Sequence, residues 1–424
     1  MKTLKENHIA ISTILAFALI PLSGFATDIY LPSFPTMATF FGTSQGDIQL
    51  SLVVFVVSSG ISQLFVGSLL DSFGRYRLSL VSLIIFALSC FVIAITHSLA
   101  VVLAMRVIQG MAVALIVVGK RAFFMDTYSG DKLKHYTSLF SIIWATAPIT
   151  APFIGGFLHH YFGWESNFYF LGAATLIILV LEMMYGGETL KKFQPFKLRP
   201  LLNVYRSKLN TTDFTISLII LGLCFSMVIM YNMASPFIIE QVFHQSAVTT
   251  GNFSLLSGVA VMAGGLLSKS SMRRSLYVKI SLAGTLLLAL SVLMIISLYY
   301  LPGLFTLIVA VVALHMVSGF TYNTFYSYAL GRFTSNAGIV SGITGGGTYI
   351  ITSLVSYTLV STLELQNLVV LGIAYFVISV LISGSFIFFI QAQRRAVLSE
   401  ERAAEDLGTV GVLASNASRS SERR

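Results

Sequence analysis

Gly67-Ser-Leu-Leu-Asp-Ser-Phe-Gly-Arg-Tyr-Arg77 is a polar, basic turn set between two apolar runs, 48–70 and 78–96. About 20 apolar residues in a helix cross the roughly 30 Å hydrocarbon core of a bilayer, so the turn reads as a short loop joining two spans. Its cations, Arg75 and Arg77, belong to a chain-wide pattern. Of the 26 Lys and Arg residues, all but Arg106 fall in one alternate set of connections or at the termini. Lys2 and Lys5 precede the first run; Lys120, Arg121, Lys132 and Lys134 follow the fourth, and a basic stretch from Lys191 to Lys208 follows the sixth. Lys269 to Lys279 follow the eighth, Arg332 the tenth, and Arg394 to Arg424 the last. The intervening connections, about 32–47, 96–98, 159–167, 239–250, 299–303 and 362–366, carry none. Lys and Arg in short loops hold a segment on the cytoplasmic side. The pattern predicts twelve spans with both termini cytoplasmic, and it isolates Arg106 inside an apolar helix.

Composition excludes a soluble globular fold: 56% of residues are apolar, 10% are charged, and the mean hydropathy is +0.85. The net charge of +9 reads as topology plus a basic tail, not as a nucleic-acid interface. Cys90 and Cys224 both fall in predicted spans, which excludes a disulfide framework. Lys2, Lys5, the apolar run Ile9 to Ile20 and the pair Gly24-x-Ala26 imitate a cleavable secretory signal. Cleavage would leave an odd number of spans, so the first helix is expected to be retained.

The spans fall at about 9–31, 48–70, 78–96, 99–118, 137–158, 168–185, 213–238, 250–268, 276–298, 303–329, 337–361 and 367–390. This is an all-α integral membrane protein of twelve transmembrane helices in two pseudo-symmetric bundles. Residues 1–185 form the N-terminal six-helix bundle and 213–390 the C-terminal one. Between them, 186–212 is a cytoplasmic central loop in which Pro195 and Pro200 oppose a continuous helix. Residues 391–424 are a cytoplasmic tail, expected to begin as a helical extension and fray into disorder. The second half echoes the first: Gly264-Gly-Leu-Leu-Ser-Lys-Ser-Ser-Met-Arg-Arg274 matches the opening turn at Gly, Leu, Leu and the closing Arg. Parallel six-helix repeats suit transporters that rock two bundles about a central site.

Four segments in order carry a more specific likeness: Thr27-Asp-Ile-Tyr-Leu-Pro-Ser-Phe-Pro35, the Gly67 to Arg77 turn, Arg106-Val-Ile-Gln-Gly110, and Ala147-Pro-Ile-Thr-Ala-Pro-Phe-Ile-Gly-Gly156. With them the chain resembles the major facilitator superfamily, and within it the twelve-span drug:proton antiporters of the Bcr/CflA type. Glu188-Thr189 resembles the family's usual end to helix six. The chain departs from the family pattern at Ser72, where a basic residue is usual, at Ala151, where the antiporter motif has Gly, and at Ile20, where some drug antiporters carry a membrane Glu.

Residue chemistry gives these segments candidate roles. Asp28 and Arg106 lie at comparable depth with opposite sign, and an ionised side chain in hydrocarbon costs at least ~2.5 kcal/mol, so each needs a partner or an aqueous cavity. A carboxylate whose ion pair forms and breaks with access would gain and lose a proton in step, which is proton coupling; a static ion pair is the alternative. Gln109 can hold the guanidinium and Gly110 lets a neighbouring backbone approach, or simply packs. Pro148 and Pro152 with Gly155 and Gly156 suggest a kinked, close-packed gating helix, the alternative being ordinary membrane prolines. Asp71, Gly74 and Arg75 form a turn whose carboxylate is expected to engage the opposite bundle when the inner gate shuts, or which only sets topology. His315, Tyr322 and Tyr326 share a stripe with Asn323 beside it, and Tyr231, Asn232 and Tyr30 add further groups; these are candidate cavity residues, or packing and interface aromatics. The Gly338, Gly342, Gly346 stripe reads as close packing, Glu182 as snorkelling to the inner surface, and Asp213 as a helix cap.

No phosphate-binding loop for ATP and no nucleophile–base pair is present, and His159-His160 lack further ligands at metal spacing, so neither enzyme, cofactor nor metal is expected. The expected partners are the lipid bilayer, protons and a small-molecule substrate, not nucleic acid, and the chain is expected to be monomeric. The reading is a proton-coupled exporter of a small organic molecule or drug in a bacterial inner membrane. Rival readings are a metabolite exporter such as one for siderophores, an uncoupled facilitator, or a receptor or assembly partner on a transport fold.

Overall fold

The computed structural model describes residues 2–193, 195, 198–271, 273–333, 337–363 and 365–421. Among these residues the chain is helical, with one isolated bridge between Thr3 and Glu188. Eleven segments of the described residues are long and apolar enough to cross a membrane. The twelfth is α5 (Gly130–Phe162), 33 residues long and interrupted in composition by Pro148 and Pro152, through which it continues as one helix.

The first span, α1 (Glu6–Phe41), is broken into Ile9–Leu19, Leu22–Asp28 and Phe34–Phe41, with a tighter turn at Leu31–Ser33. Pro21 ends the first piece because it has no N–H to donate and crowds the preceding turn. Pro32 and Pro35 sit in the opening turns of the later pieces, where a missing donor costs nothing. The span was expected to end near 31 and give way to a loop. It instead stays helical to Phe41, where Gly42 takes a left-handed φ of 60° and closes it. The break leaves Asp28 at the end of the middle piece.

The remaining first-half helices are α2 (Gln45–Phe73), α3 (Arg75–Ile95), α4 (Leu99–Thr127) and α6 (Glu165–Tyr185). A capping box starts α2, with Ser44 accepting from the Asp47 amide and the Asp47 carboxylate accepting from the Ser44 amide. Gly74, at φ 93°, makes the bend from α2 to α3 that a side chain would strain. The second half holds α7 (Thr212–Phe237), α8 (Ala247–Ser270), α9 (Leu276–Tyr300), α10 (Leu304–Gly331), α11 (Ala337–Thr362) and α12 (Leu368–Ser421). The tail, expected to fray, continues α12 as helix to Ser421; residues 422–424 lie outside the described residues.

The central connector also differs from expectation. It carries a helix, Leu198–Leu209, with Pro200 in its first turn. Leu201 and Tyr205 are buried against the bundles, and the Tyr205 hydroxyl donates to the Leu64 carbonyl of α2. Burial pushes that phenol up to about 12, so it stays a donor at neutral pH.

α2 packs on α4, and α3 on α4 and α6; α8 packs on α10, and α9 and α7 on α12. The halves meet along two seams, α5 with α8 and α2 with α11. At the first, Gly156 faces the Ala247 carbonyl, Gly251 faces that of Pro152, and Gly258 lies on Ile149. At the second, Gly60 and Gly346 each face the other's carbonyl, and Gly342 meets that of Gln63. Amides complete the seal on the cation-free face: Gln366 donates to Gln45 and Gln241 at 3.0 and 2.8 Å, and Gln49 donates to the Met233 carbonyl at 2.8 Å. Nearer the basic connections, Gly67 and Gly338 meet no neighbour. The bundles therefore close on the cation-free side and leave a cleft facing the basic side.

A side chain on the seam should be costly where one off it is not. Gly156→Ala is expected to destabilise by about 1–3 kcal/mol through overpacking. Gly67→Ala, in open space within a helix, should be neutral or stabilising by up to about 1 kcal/mol. Thermal unfolding of the two purified variants in detergent checks this, and equal effects would contradict the seam.

Candidate functional site

Arg106 is fully buried in α4. Its guanidinium lies 4.5 Å from the centre of the Tyr30 ring and 4.2 Å from that of Phe55, on α1 and α2. Nη1 donates to Gln109 Oε1 at 2.8 Å and Nε to the Ser51 carbonyl at 3.4 Å, while Nη2 has no partner. Gln109 in turn donates to Cys90 of α3 at 3.2 Å. The Tyr30 hydroxyl donates to Ser51 Oγ at 3.0 Å, because Ser51 spends its own proton on the Ile48 carbonyl. One turn along α4, Gly110 brings the Phe55 carbonyl and Ser58 of α2 so close that no side chain fits.

Asp28 is 3% exposed, and its Oδ1 has no hydrogen-bond partner. Its Oδ1 and the Arg106 Nη2 are both left without a partner, so the two are not paired there, although Asp28 lies within electrostatic reach of Arg106. The Asn232 side chain of α7, in the second bundle, lies within reach of the carboxyl. Gly155 of α5 lies against the Ile29 carbonyl, next to Asp28 in the chain. Arg106, Gln109, Gly110, Gly155 and Asp28 thus belong to one region at the closed end of the cleft.

The Asp71 turn stands apart, at the basic face. Arg75 donates to Asp71 at 3.1 Å, to the Ala122 carbonyl at 2.9 Å and to Asp126 of α4. Glu188 accepts from the amides of Arg75 and Tyr76 at 3.2 and 3.1 Å, capping α3 from the end of α6. In this conformation Asp71 engages its own bundle and does not reach across the cleft. A carboxylate in the second half, Asp213, also ties two helices together, accepting from Tyr328 at 2.5 Å and Arg332 at 2.6 Å. It was expected to cap α7 with its side chain; the carboxylate instead ties the start of α7 to the end of α10.

The expected cavity residues divide. Tyr322 and Tyr326 stack with ring centres 5.8 Å apart and keep partial exposure between the bundles. Tyr30 is committed to Arg106. His315 is fully buried, its nitrogens taken by Ser257 at 2.6 Å and Tyr375 at 2.8 Å, with Tyr231 edge-on at 5.6 Å. Asn323 donates to the Gly265 carbonyl of α8 at 2.8 Å. These groups fasten the second bundle together and do not line the cleft.

Sequence reasoning missed Phe225 of α7 and Tyr349 of α11, whose rings stack 6.1 Å apart beside Tyr322. It also misplaced two cations. α4 runs to Thr127 rather than ending near 118, so Lys120 and Arg121 are helix residues. Lys120 is buried and pairs at 2.7 Å with Glu182, which does not snorkel. Arg121, one residue on and about 100° round the helix, is partly exposed and within electrostatic reach of Tyr322 and Tyr349. At 100° per residue it lies within about 60° of the Arg106 face, a signal present in the sequence.

Two six-helix bundles joined along glycine seams, with a charged cleft open on one face, define a secondary-transporter architecture. The Major Facilitator Superfamily profile matches residues 16–356. The chain belongs to that family: it is a multi-pass membrane transporter and not an enzyme. It is 33% identical over 199 residues to a bicyclomycin resistance protein homolog of Haemophilus influenzae, covering 47% of this chain and 50% of that one. It is 26% identical over 333 residues to the multidrug resistance protein MdtL of Klebsiella pneumoniae, covering 78% and 83%. The crystal structure of a D-xylose–proton symporter matches with TM-score 0.65 at 13% identity, over 88% of this chain and 97% of that one. The two relatives are named for bicyclomycin and multidrug resistance, and the solved structure shares the fold.

The Lys120–Glu182 pair gives a stability test. Glu182→Gln leaves Lys120 as an uncompensated buried charge and should cost about 3–5 kcal/mol, whereas replacing both residues by Met should recover most of the loss. Thermal unfolding and expression yield of the single and double variants measure this; a double variant no better than the single one contradicts it.

Proposed function

We propose that the chain exports a small organic molecule from a bacterial cytoplasm in exchange for protons, with both termini and the basic connections cytoplasmic. The observation that carries this reading is Asp28: a carboxyl buried in the membrane, on the seam between bundles, with an oxygen that no donor satisfies. An ionised carboxylate there lacks hydrogen bonds worth about 1–3 kcal/mol, and a proton removes that need. Arg106 is held apart on Tyr30 and Phe55 and acts on Asp28 through its field, not by a fixed ion pair. The relatives named for bicyclomycin and multidrug resistance support export of drug-like molecules.

In the proposed cycle the cleft facing the basic side is the cytoplasm-facing state. The glycine and glutamine contacts of the opposite side form the closed outer gate, and α5, with Pro148, Pro152, Gly155 and Gly156, lies on the element that must slide. The Asp71–Arg75 turn is disengaged here because its side of the molecule is open, and it meets the second bundle when the cleft closes.

In inverted vesicles with an acid interior, adding substrate should discharge the pH gradient. Asp28→Asn should reduce that response to background while the protein still inserts and unfolds at the wild-type temperature. Undiminished proton movement in this variant would refute Asp28 as the proton carrier.

A further inference from the structure

Among the described residues Arg121 has no counterion. It sits in α4 four turns toward the basic face from Arg106, partly exposed, and makes no hydrogen bond or ion pair with any described residue; its buried Nε has no partner. Its neighbour Lys120 shows what the same helix does with a cation it means to neutralise, pairing it with Glu182. Tyr322 of α10 and Tyr349 of α11, in the second bundle, lie within electrostatic reach of Arg121. Those two rings continue into a ladder: Tyr349 stacks on Phe225 at an interplanar angle of 17°, Phe225 meets Tyr322 at 6.1 Å, and Tyr322 stacks on Tyr326 at 13°. All five side chains keep partial exposure although they lie between the bundles, so they border the cleft and are not sealed in a core.

We propose that this is the substrate subsite, and that it takes a planar aromatic molecule carrying an anionic or strongly accepting oxygen group. The ring inserts along the Phe225–Tyr322–Tyr326–Tyr349 ladder, where offset and edge-on contacts are available. The oxygen group meets the Arg121 guanidinium, whose planar fork matches a carboxylate or nitro group and which is stronger in a cleft than in water. A lipophilic cation is disfavoured, since the cleft mouth presents it with an uncompensated positive charge. Asp28, at the closed end, also lies within reach of Tyr349, so one bound molecule adjoins both the anion-binding group and the proposed proton carrier. This assignment rests on the exporter reading above for its purpose, but not for its geometry.

The test is equilibrium binding to the purified full-length protein in detergent. The probes are 4-nitrobenzoate, neutral 4-nitrobenzyl alcohol and tetraphenylphosphonium. The two nitroaromatics should bind, with the carboxylate tighter, and tetraphenylphosphonium should bind least. Arg121→Gln should weaken 4-nitrobenzoate about ten- to hundredfold, as expected for a lost charged hydrogen bond, and Arg121→Lys, which keeps the charge but loses the planar fork, should restore only part of it. Tyr322→Leu should weaken both nitroaromatics about tenfold or less. Since Arg121 has no partner among the described residues to orphan, its variants should unfold at the wild-type temperature. Unchanged affinity for 4-nitrobenzoate in Arg121→Gln, or tightest binding of tetraphenylphosphonium, overturns the assignment. If vesicles export tetraphenylphosphonium against protons, the exporter reading stands and this one falls. If aryl carboxylates bind through Arg121 while no compound moves protons, this one stands and the exporter reading falls.

Discussion

A bare guanidinium in hydrocarbon is the condition around which the first bundle is built. Placing Arg106 there costs at least ~2.5–3.5 kcal/mol, and more if it is isolated. Two aromatic faces, each worth up to about 2 kcal/mol when desolvated, and the charged hydrogen bond to Gln109, worth about 1.5–3 kcal/mol, together offset that cost. Meeting those terms requires Tyr30 from α1, Phe55 from α2 and, through Gln109, Cys90 from α3. The break in α1 that positions Tyr30 also sets Asp28 facing the seam. The close approach at Gly110 that brings Phe55 over the guanidinium also fixes α2, whose other side meets α11. One buried charge therefore orients four helices and, through them, the edge of the cleft.

The two kinds of contact in the molecule divide its motion. Within each bundle the basic face is held by charge: Arg75 with Asp71 and Asp126, Lys120 with Glu182, and Arg332 with Asp213. Between the bundles the contacts are backbone approaches at glycine and neutral amides such as Gln366 with Gln45 and Gln241. Lipid gives no hydrophobic drive between helices, so such seams rest on packing alone. Neutral amides lose little when water replaces a partner, whereas separating a buried ion pair costs several kcal/mol. The weak joints lie where alternating access needs them, and the strong ones lie inside the moving parts.

Charge alternation and apolar run length were enough to read the helices, because both follow from the cost of polar groups in hydrocarbon; the family likeness came from the four motif segments instead. Helix ends were less legible. The pattern treats a Lys or Arg as the end of a span, but α4 continues past Lys120 and Arg121 because each has somewhere to point. Adjacent residues diverge by 100° on a helix, so one cation meets Glu182 inside the bundle and the next meets the cleft. His315 was misjudged for a related reason: the stripe it shares with Tyr322 and Tyr326 is real, yet over those turns the face passes from bundle core to cleft. Tyr349 and Phe225 carried no sequence signal beyond being aromatic, since their meeting depends on how α7 and α11 pack.

Asp28 and Arg106 invite reading as an ion pair, yet their separation suits coupling better than a pair would. A fixed ion pair within one bundle moves as a rigid unit and is indifferent to the position of the other bundle. The group beside Asp28 is Asn232, on the opposite side of the seam. In the proposed cycle, α7 withdraws its amide and water replaces it when the outer side opens, and the amide returns when that side closes. The solvation of the proposed proton carrier is thereby set by the second bundle, while Arg106, fastened to the first, supplies a constant field. A carboxyl whose neighbour changes with conformation and whose background field does not is what ties proton affinity to access, and neither residue has to move relative to the other for that link to hold.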